Sequence, residues 1–521
     1  SVLFMLNCQE SSVERKNRSI IWMSLPRLMG GPALIPVRRK ASPAHVTSLM
    51  GCVGDIHFDN LKEGLLADAL FCHQDILKQC HIDNYSQGHA LAAALPVDPT
   101  QILSNHFAPE TISAFHTKGL NRFFMDYLNT IAKMDLQKSV LGLPHNDCGN
   151  TDAVHFLTLT NCSMVSRLFN LDLLNPFFRI DATRFIFMVT FLAGLVPIPP
   201  PLSSFSIDDY DYKCGKCSKD GRVVDAFGNH MSSCTGGKNA VGSIHKQTTG
   251  VLKYWAENAG KITKCPPNLQ YMIGESYPLE LLSSIFPKKP NKVSKGNHAL
   301  VVQAVKNMKK LNSTKDRLAL FKRTMSEIKL MRKEDCAAIQ PDLAARDYSS
   351  KSEEQIIGTT FVHTTCSSYA EAQRKELEDT TVAGFLLHDE GWCPSGCIDN
   401  TPAVVNRAGE KHTKYGSIEY LANLQAAVKK SSKSVKFVPA VMTHRGEFGG
   451  ELLSLIEDWT SCFRVKQSKI FDLNGKTLNT RVQEFRNGFK DSLIRTIADG
   501  VGYSLVSAWL RSYAIFDKQK K

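Results

Sequence analysis

Ile356-Ile357-Gly358-Thr359-Thr360-Phe361-Val362-His363-Thr364-Thr365 is a β-branched run bounded by polar residues, and it predicts a strand. Around it the pattern of the chain changes. From about residue 55 to 196 the sequence reads as mostly helical: Asn60–Cys80 and Thr111–Met134 carry apolar residues at helical spacing, for example Ile112, Phe115, Leu120, Phe123, Phe124, Tyr127 and Ile131. An apolar helix over Phe185–Val196 is stopped by Pro197, Pro199, Pro200 and Pro201. His245–Gly260 predicts a helix with Val251, Leu252, Trp255 and Ala259 on one side and Gly260 as its stop. After about residue 336, helices and strands mix. Lys411–Lys430 reads as a helix and Val435–Met442 as a strand; Leu452–Phe463, Thr480–Asp499 and Val501–Phe516 read as helices, with Gly500 breaking the last two. The expected class is α+β and multidomain, with a helical N-terminal half and a C-terminal α/β unit.

The chain has 521 residues, too many for one ordinary core, which suggests about two to four domains. Hydrophobic residues make up 43% and charged residues 22%, so the chain belongs with globular rather than disordered proteins. No apolar run reaches the roughly 18 to 20 residues of a membrane helix, so no membrane partner is expected. Fifteen cysteines, an odd number at irregular spacing, point to thiols in a reducing intracellular compartment rather than a disulfide framework. Nucleus and organelle, such as the mitochondrion, remain open. The chain begins at Ser1 rather than Met, as a fragment or processed product would.

One segment has metal-ligand spacing. Cys214, Cys217, His230 and Cys234 read C-x2-C-x12-H-x3-C. Zn2+ takes four nitrogen or sulfur ligands at tetrahedral corners. A Cys-x2-Cys pair grips one edge from a tight turn, and a His-x3-Cys pair supplies the other. All four positions are protein ligands, so the expected site is structural rather than catalytic. Residues between the pairs are polar and turn-rich, as a small metal loop requires. A weaker second candidate is Cys393 with Cys397, near His388 and Asp389; buried thiols in a loop are the bland alternative.

Charge is concentrated. The formal net charge is +13, and from Lys288 to Lys333 fourteen Lys and Arg stand against Asp316 and Glu327. Within it, Thr314–Arg332 reads as a helix with Leu318, Phe321, Met325 and Ile328 on one face. Lys315, Arg317, Lys322, Arg323, Lys329 and Arg332, with Lys309 and Lys310 just before them, form a cationic set suited to a phosphate backbone. A solvated basic face is the other reading.

In order along the chain, these pieces resemble a known family. Leu25, Pro26, Gly30 and Gly31, then Ala44 and Ser48-Leu49, look like the end of a polymerase region. Cys214, Cys217, Asp225, Gly228, His230, Cys234 and His245 follow. Gln340-Pro341-Asp342-Leu343, Gly358 to His363, Lys411 to Tyr415 and Phe437-Val438-Pro439 complete the series. The series resembles the C-terminal region of non-LTR retrotransposon reverse-transcriptase polyproteins, where a CCHC zinc knuckle precedes a restriction-like endonuclease. The resemblance implies a polymerase-like tail over residues 1–54, a helical linker domain over 55–200 and the knuckle with its following helix over 201–262. It also implies a basic insertion over 263–335 and a restriction-endonuclease-like (PD-(D/E)xK) domain over 336–521.

Such a nuclease would nick DNA with two acids and a lysine around Mg2+, a hard cation that prefers oxygen ligands. Asp342, after Pro341, fits the first acid, and Lys411 and Lys414 fit the helix-borne lysine. The second acid should open the strand at Gly358, which has no side chain to ligate a metal; Glu354, or Glu353 beside it, is the expected substitute. No Tyr-x-Asp-Asp polymerase signature is present. Two functions therefore stand. One is a Mg2+-dependent endonuclease serving target-primed reverse transcription. The other is a catalytically inactive DNA- or RNA-binding subunit of a ribonucleoprotein assembly.

Overall fold

The computed structural model describes residues 13–34, 120–195 apart from 162 and 173, 212–213, 223–224, 227–233 and 241–264, then scattered positions between 299 and 323. It continues with residues 341–347, 353–365, 370–390, 401–412, 415, 434–468 and 477–519. Cys214, Cys217 and Cys234, Lys414, and Lys309, Lys315, Arg317, Lys322, Lys329 and Arg332 lie outside them, as do Asn60–Cys80, Cys393 and Cys397.

The fold is mixed and mostly helical, around one four-stranded sheet. Helices α1 (Val13–Ser24), α2 (Leu120–Leu141), α3 (Asp147–Asn161) and α4 (Ala182–Leu192) come first. A two-residue ribbon, β1 (Tyr212–Lys213) with β2 (Val223–Val224), leads to the one-turn α5 (Asn229–Ser233) and then to α6 (Val241–Asn258). The sheet follows as β3 (Ile262–Lys264), β4 (Leu343–Arg346), β5 (Glu354–Val362) and β6 (Val435–Thr443). Between β5 and β6 run α7 (Ala370–Glu390) and a helical stretch at 402–412. The chain then continues through α8 (Gly450–Ser468) and α9 (Leu478–Gln519).

Strand order is β3-β4-β5-β6. The first three pair antiparallel, whereas β6 joins β5 parallel over its full length, from Glu354 opposite Val435 to Val362 opposite Thr443. A parallel pair needs a long crossover, which the helical segment between the two strands provides. All of β5 except its first residue and Phe361 is buried, which explains its β-branched composition. It ends at Val362, short of the expected Thr365: Thr364 and Thr365 turn their hydroxyls to the guanidinium of Arg445.

Among the described residues, Val362, Ala403, Val404 and Val441 form a separate small apolar cluster, and most buried apolar side chains form one running from Trp22 on α1 to Ala508 on α9. In its centre Trp255 of α6, Phe489 of α9 and Trp459 of α8 stack in series, with ring centroids 5.6 Å apart in each pair. The Trp459 indole donates to Gln355 Oε1 at 2.7 Å, tying α8 to β5. Arg374 on α7, fully buried, donates to the carbonyls of Leu141 at 3.2 Å, Leu143 at 2.9 Å and Pro144 at 3.1 Å, closing the α2–α3 corner against α7.

The expected break at Gly500 is absent. Leu478–Gln519 is a single helix whose buried residues Val482, Phe485, Phe489, Leu493, Ile497, Val501 and Leu505 recur every three to four positions. Gly500 instead marks a close approach: a Cβ there would sit 2.2 Å from Ile244 Cγ1 on α6. Gly30 plays a different part. It ends the short 3-10 turn Arg27–Met29 at φ +81, a conformation that suits glycine.

Candidate functional site

Pro341 and Asp342 lie immediately before β4, close to where the Pro-Asp reading expects a strand start. The Asp342 amide donates to Ile357 O at 2.9 Å, which docks the strand start on β5. Its carboxylate Oδ2 accepts the Thr359 amide at 2.6 Å, and Oδ1 lies 3.4 Å from His245 Nε2 on α6. Lys411 on the helical stretch 402–412 donates its Nζ to the Thr359 carbonyl at 3.4 Å, near His245, which also bonds the Thr359 backbone. Three elements distant in sequence thus meet at one residue of β5. The Lys411 ammonium also lies 5.3 Å from the Tyr415 ring centroid, and Tyr415 stacks on Phe437 at 4.8 Å.

Electrostatics follow from this geometry. The His245 pKa is raised, chiefly by its hydrogen bond to the Asp342 carboxylate, against partial desolvation and the nearby Lys411. Tyr415 is raised first by burial and then by the Asp342 charge. The cluster therefore holds one carboxylate against two groups that carry or readily take positive charge.

Position 358 is the second-acid position of the resemblance. Extending the register from Leu343 opposite Ile357 puts Gly358 opposite Asp342 on the same face of the sheet. A Cβ at 358 would lie 3.0 Å from Phe437 Cζ and 3.7 Å from Tyr415 Cε2, so the face is closed by aromatic rings. Glu354 does not join Asp342. It lies four residues from Gly358, roughly 13 Å along an extended strand, and pairs with Lys264 of β3 at 2.8 Å. Among the described residues no group of three or more His, Cys, Asp or Glu side chains converges on a metal position. Asp342 is the one carboxylate among the described residues at this position, and it is engaged by the Thr359 amide and His245.

Of the expected zinc ligands, the described residues include His230 alone, on α5. The residues flanking His230 touch the segment just after β5: Ser232 Oγ lies 2.9 Å from His363 Nε2, and Thr365 Oγ1 donates to Asn229 Oδ1 at 3.0 Å. The ribbon of β1 and β2 brackets the Cys-x2-Cys segment. Lys310 and Arg323 are exposed, with the rest of the cationic set outside the described residues.

Sequence reasoning places His245 only at the end of the knuckle pattern. Its pairing with Asp342, nearly a hundred residues on, carries no local signal. Nor do two buried groups behind the site. Glu447, in the turn after β6, accepts the Thr401 amide at 2.6 Å and its hydroxyl at 2.9 Å, capping the helical stretch that carries Lys411. Burial pushes the Glu447 pKa up to about 7. Arg445, in the same turn, donates to His155 Nδ1 at 3.0 Å, while His155 Nε2 faces Leu192 O at 3.0 Å. His155 is therefore the neutral Nε2–H tautomer, and burial followed by the Arg445 charge holds its pKa well below the usual range.

No described helix is long and apolar enough to cross a membrane. In comparisons with known proteins, no family model, no curated protein and no solved structure matches this chain.

Proposed function

We propose that this protein binds nucleic acid through a nuclease-type centre that has lost cleavage, as a descendant of a retrotransposon protein working within a ribonucleoprotein assembly. Gly358 carries this reading. It stands beside Asp342 where a second metal-binding acid is needed, and Phe437 and Tyr415 occupy the space such an acid would use. What remains suits phosphate better than metal. Lys411 and His245 place positive charge around the Thr359 peptide, and Asp342 orients His245. The basic run from Lys288 to Lys333 adds sequence-independent attraction. The knuckle would hold one structural Zn2+ through Cys214, Cys217, His230 and Cys234.

Plasmid nicking with Mg2+ or Mn2+, run beside binding of labelled DNA and RNA across a salt series, tests the proposal. The expected result is salt-sensitive binding, one zinc per chain that is lost with Cys214→Ser, and nicking no greater than that of Asp342→Ala. Metal-dependent nicking that disappears in Asp342→Ala would overturn it and restore the active endonuclease.

A further inference from the structure

The helical stretch 402–412 lies back along β5. Val404, Arg407 and Lys411 recur at three- and four-residue spacing, so they share one face. That face meets the sheet at successive points. Val404 packs with Val362 and Val441. Arg407 Nε donates to Thr360 Oγ1 at 3.4 Å, and Lys411 Nζ reaches the Thr359 carbonyl at the same distance.

The connection from β6 to α8 holds this stretch at both ends. At its start, Glu447 accepts the Thr401 amide at 2.6 Å and the Thr401 hydroxyl at 2.9 Å. Gly449 presses on the same point, since a Cβ there would lie 3.2 Å from Val404 Cγ1. At the other end Glu451, on the first turn of α8, lies 2.7 Å from His412 Nε2. The two ties are unequal. The His412 and Glu451 side chains are 42% and 38% exposed, so water screens that pair. Glu447 and Thr401 are each 1% exposed, so their bonds form in a low-dielectric interior. The turn that carries Glu447 is itself fixed. Thr443 Oγ1 accepts the amides of Arg445 at 3.3 Å and Glu447 at 3.1 Å, and Gly446 takes φ +91. A buried acid is costly. What it supplies here, and an apolar side chain would not, is a fixed pair of acceptors for the start of the helix.

Lys411 stands ten residues beyond Thr401, roughly 15 Å along a helix. Its contact with Thr359 is at the long limit of a hydrogen bond, so a tilt that lifts it by about half an ångström ends that contact. We infer that Glu447 is a positioning residue: it sets the start of the helical stretch, and through it the place at which Lys411 receives a phosphate. The inference rests on the nucleic-acid reading above.

The full chain would be titrated with a labelled short single strand of DNA across a salt series, as wild type, Lys411→Met, Glu447→Met and the double variant. Lys411→Met is expected to weaken binding and to lower the slope of log affinity against log salt by one phosphate contact, roughly 0.7. Glu447→Met should lower affinity and slope alike, and should add nothing in the Lys411→Met protein. Glu447→Gln keeps an acceptor for the Thr401 amide and should bind as wild type. A protein merely loosened by Glu447→Met would lose affinity equally in both backgrounds. That additive result overturns the inference, as does a folded Glu447→Met protein with wild-type affinity and slope; in both cases the nucleic-acid reading stands. Because Glu447 is buried, Thr401→Val, which removes the hydroxyl donor from a side chain of the same shape, repeats the cycle if Glu447→Met is misfolded by circular dichroism. Wild-type binding that Lys411→Met leaves unchanged removes the phosphate contact and the inference with it. No salt-sensitive binding by the wild type removes the nucleic-acid reading as well.

Discussion

Replacing Gly500 by alanine separates two physical accounts of one residue. If Gly500 interrupted a helix, alanine would mend it and stabilise the protein by roughly 0.5–1 kcal/mol, the helix-propensity difference. The structure demands the opposite sign. Gly500 lies inside the unbroken α9, and an added methyl would stand 2.2 Å from Ile244 Cγ1 and 2.9 Å from its Cδ1. Carbon atoms in ordinary contact stand about 3.5–4.0 Å apart, so one helix must retreat by more than an ångström. Ile244 is 1% exposed and β-branched, with few rotamers to escape into. Overpacking costs about 1–3 kcal/mol; a clash of this depth falls in the upper half of that range, about 2–3 kcal/mol, leaving a net loss of roughly 1–2.5 kcal/mol after the propensity gain. Gly242 and Gly250 on α6 are internal controls, because nothing lies within 4 Å of an added Cβ at either. Alanine there should stabilise by a few tenths to about 1 kcal/mol. Urea unfolding followed by tryptophan fluorescence, compared at constant slope, reads all three variants. A Gly500→Ala protein as stable as wild type or more so would refute the close approach of α9 to α6.

Two further substitutions probe buried charges. Arg374→Met should destabilise by about 3–5 kcal/mol, because the carbonyls of Leu141, Leu143 and Pro144 lose their donor and Glu378 loses its cation; a loss under 1 kcal/mol in the same melts would contradict the corner described. Glu447 has a folded-state pKa of about 7, above its ordinary 4.5, so its protonated form favours the fold. That contribution is complete below about pH 4.5 and lost as pH rises through 7, amounting to roughly 3 kcal/mol at most. Glu447→Gln should therefore flatten the fall in stability between pH 5 and pH 8, and an unchanged pH profile would rule out titration of Glu447 as its source.

Local pattern carried far in this chain. The β-branched run at 356–365 and the run at 435–442 are strands within a few residues of their expected ends, and the helix expected from His245 to its stop at Gly260 forms as Val241–Asn258. Pro341-Asp342 immediately precedes a strand, and Lys411 lies near the end of a helical stretch at 402–412, whereas most of the helix expected over Lys411–Lys430 lies outside the described residues. These outcomes depend on periodicity, β-branching and proline, each of which acts within a few residues of itself. Glu354 shows where that reach ends. It sits in the expected strand, but the register of β5 sets it roughly 13 Å along the strand from Gly358, the position beside Asp342, and gives it to Lys264. Gly500 has the letter of a helix break and the role of a contact, because only the arrival of Ile244 from α6 distinguishes the two. The meeting of His245, Asp342 and Lys411 around Thr359 has the same origin. Sequence determined which segments are strands and helices and which residues have the chemistry for a site. The tertiary structure decided which of those residues meet, since pairing register and helix approach depend on close packing between segments far apart in the chain.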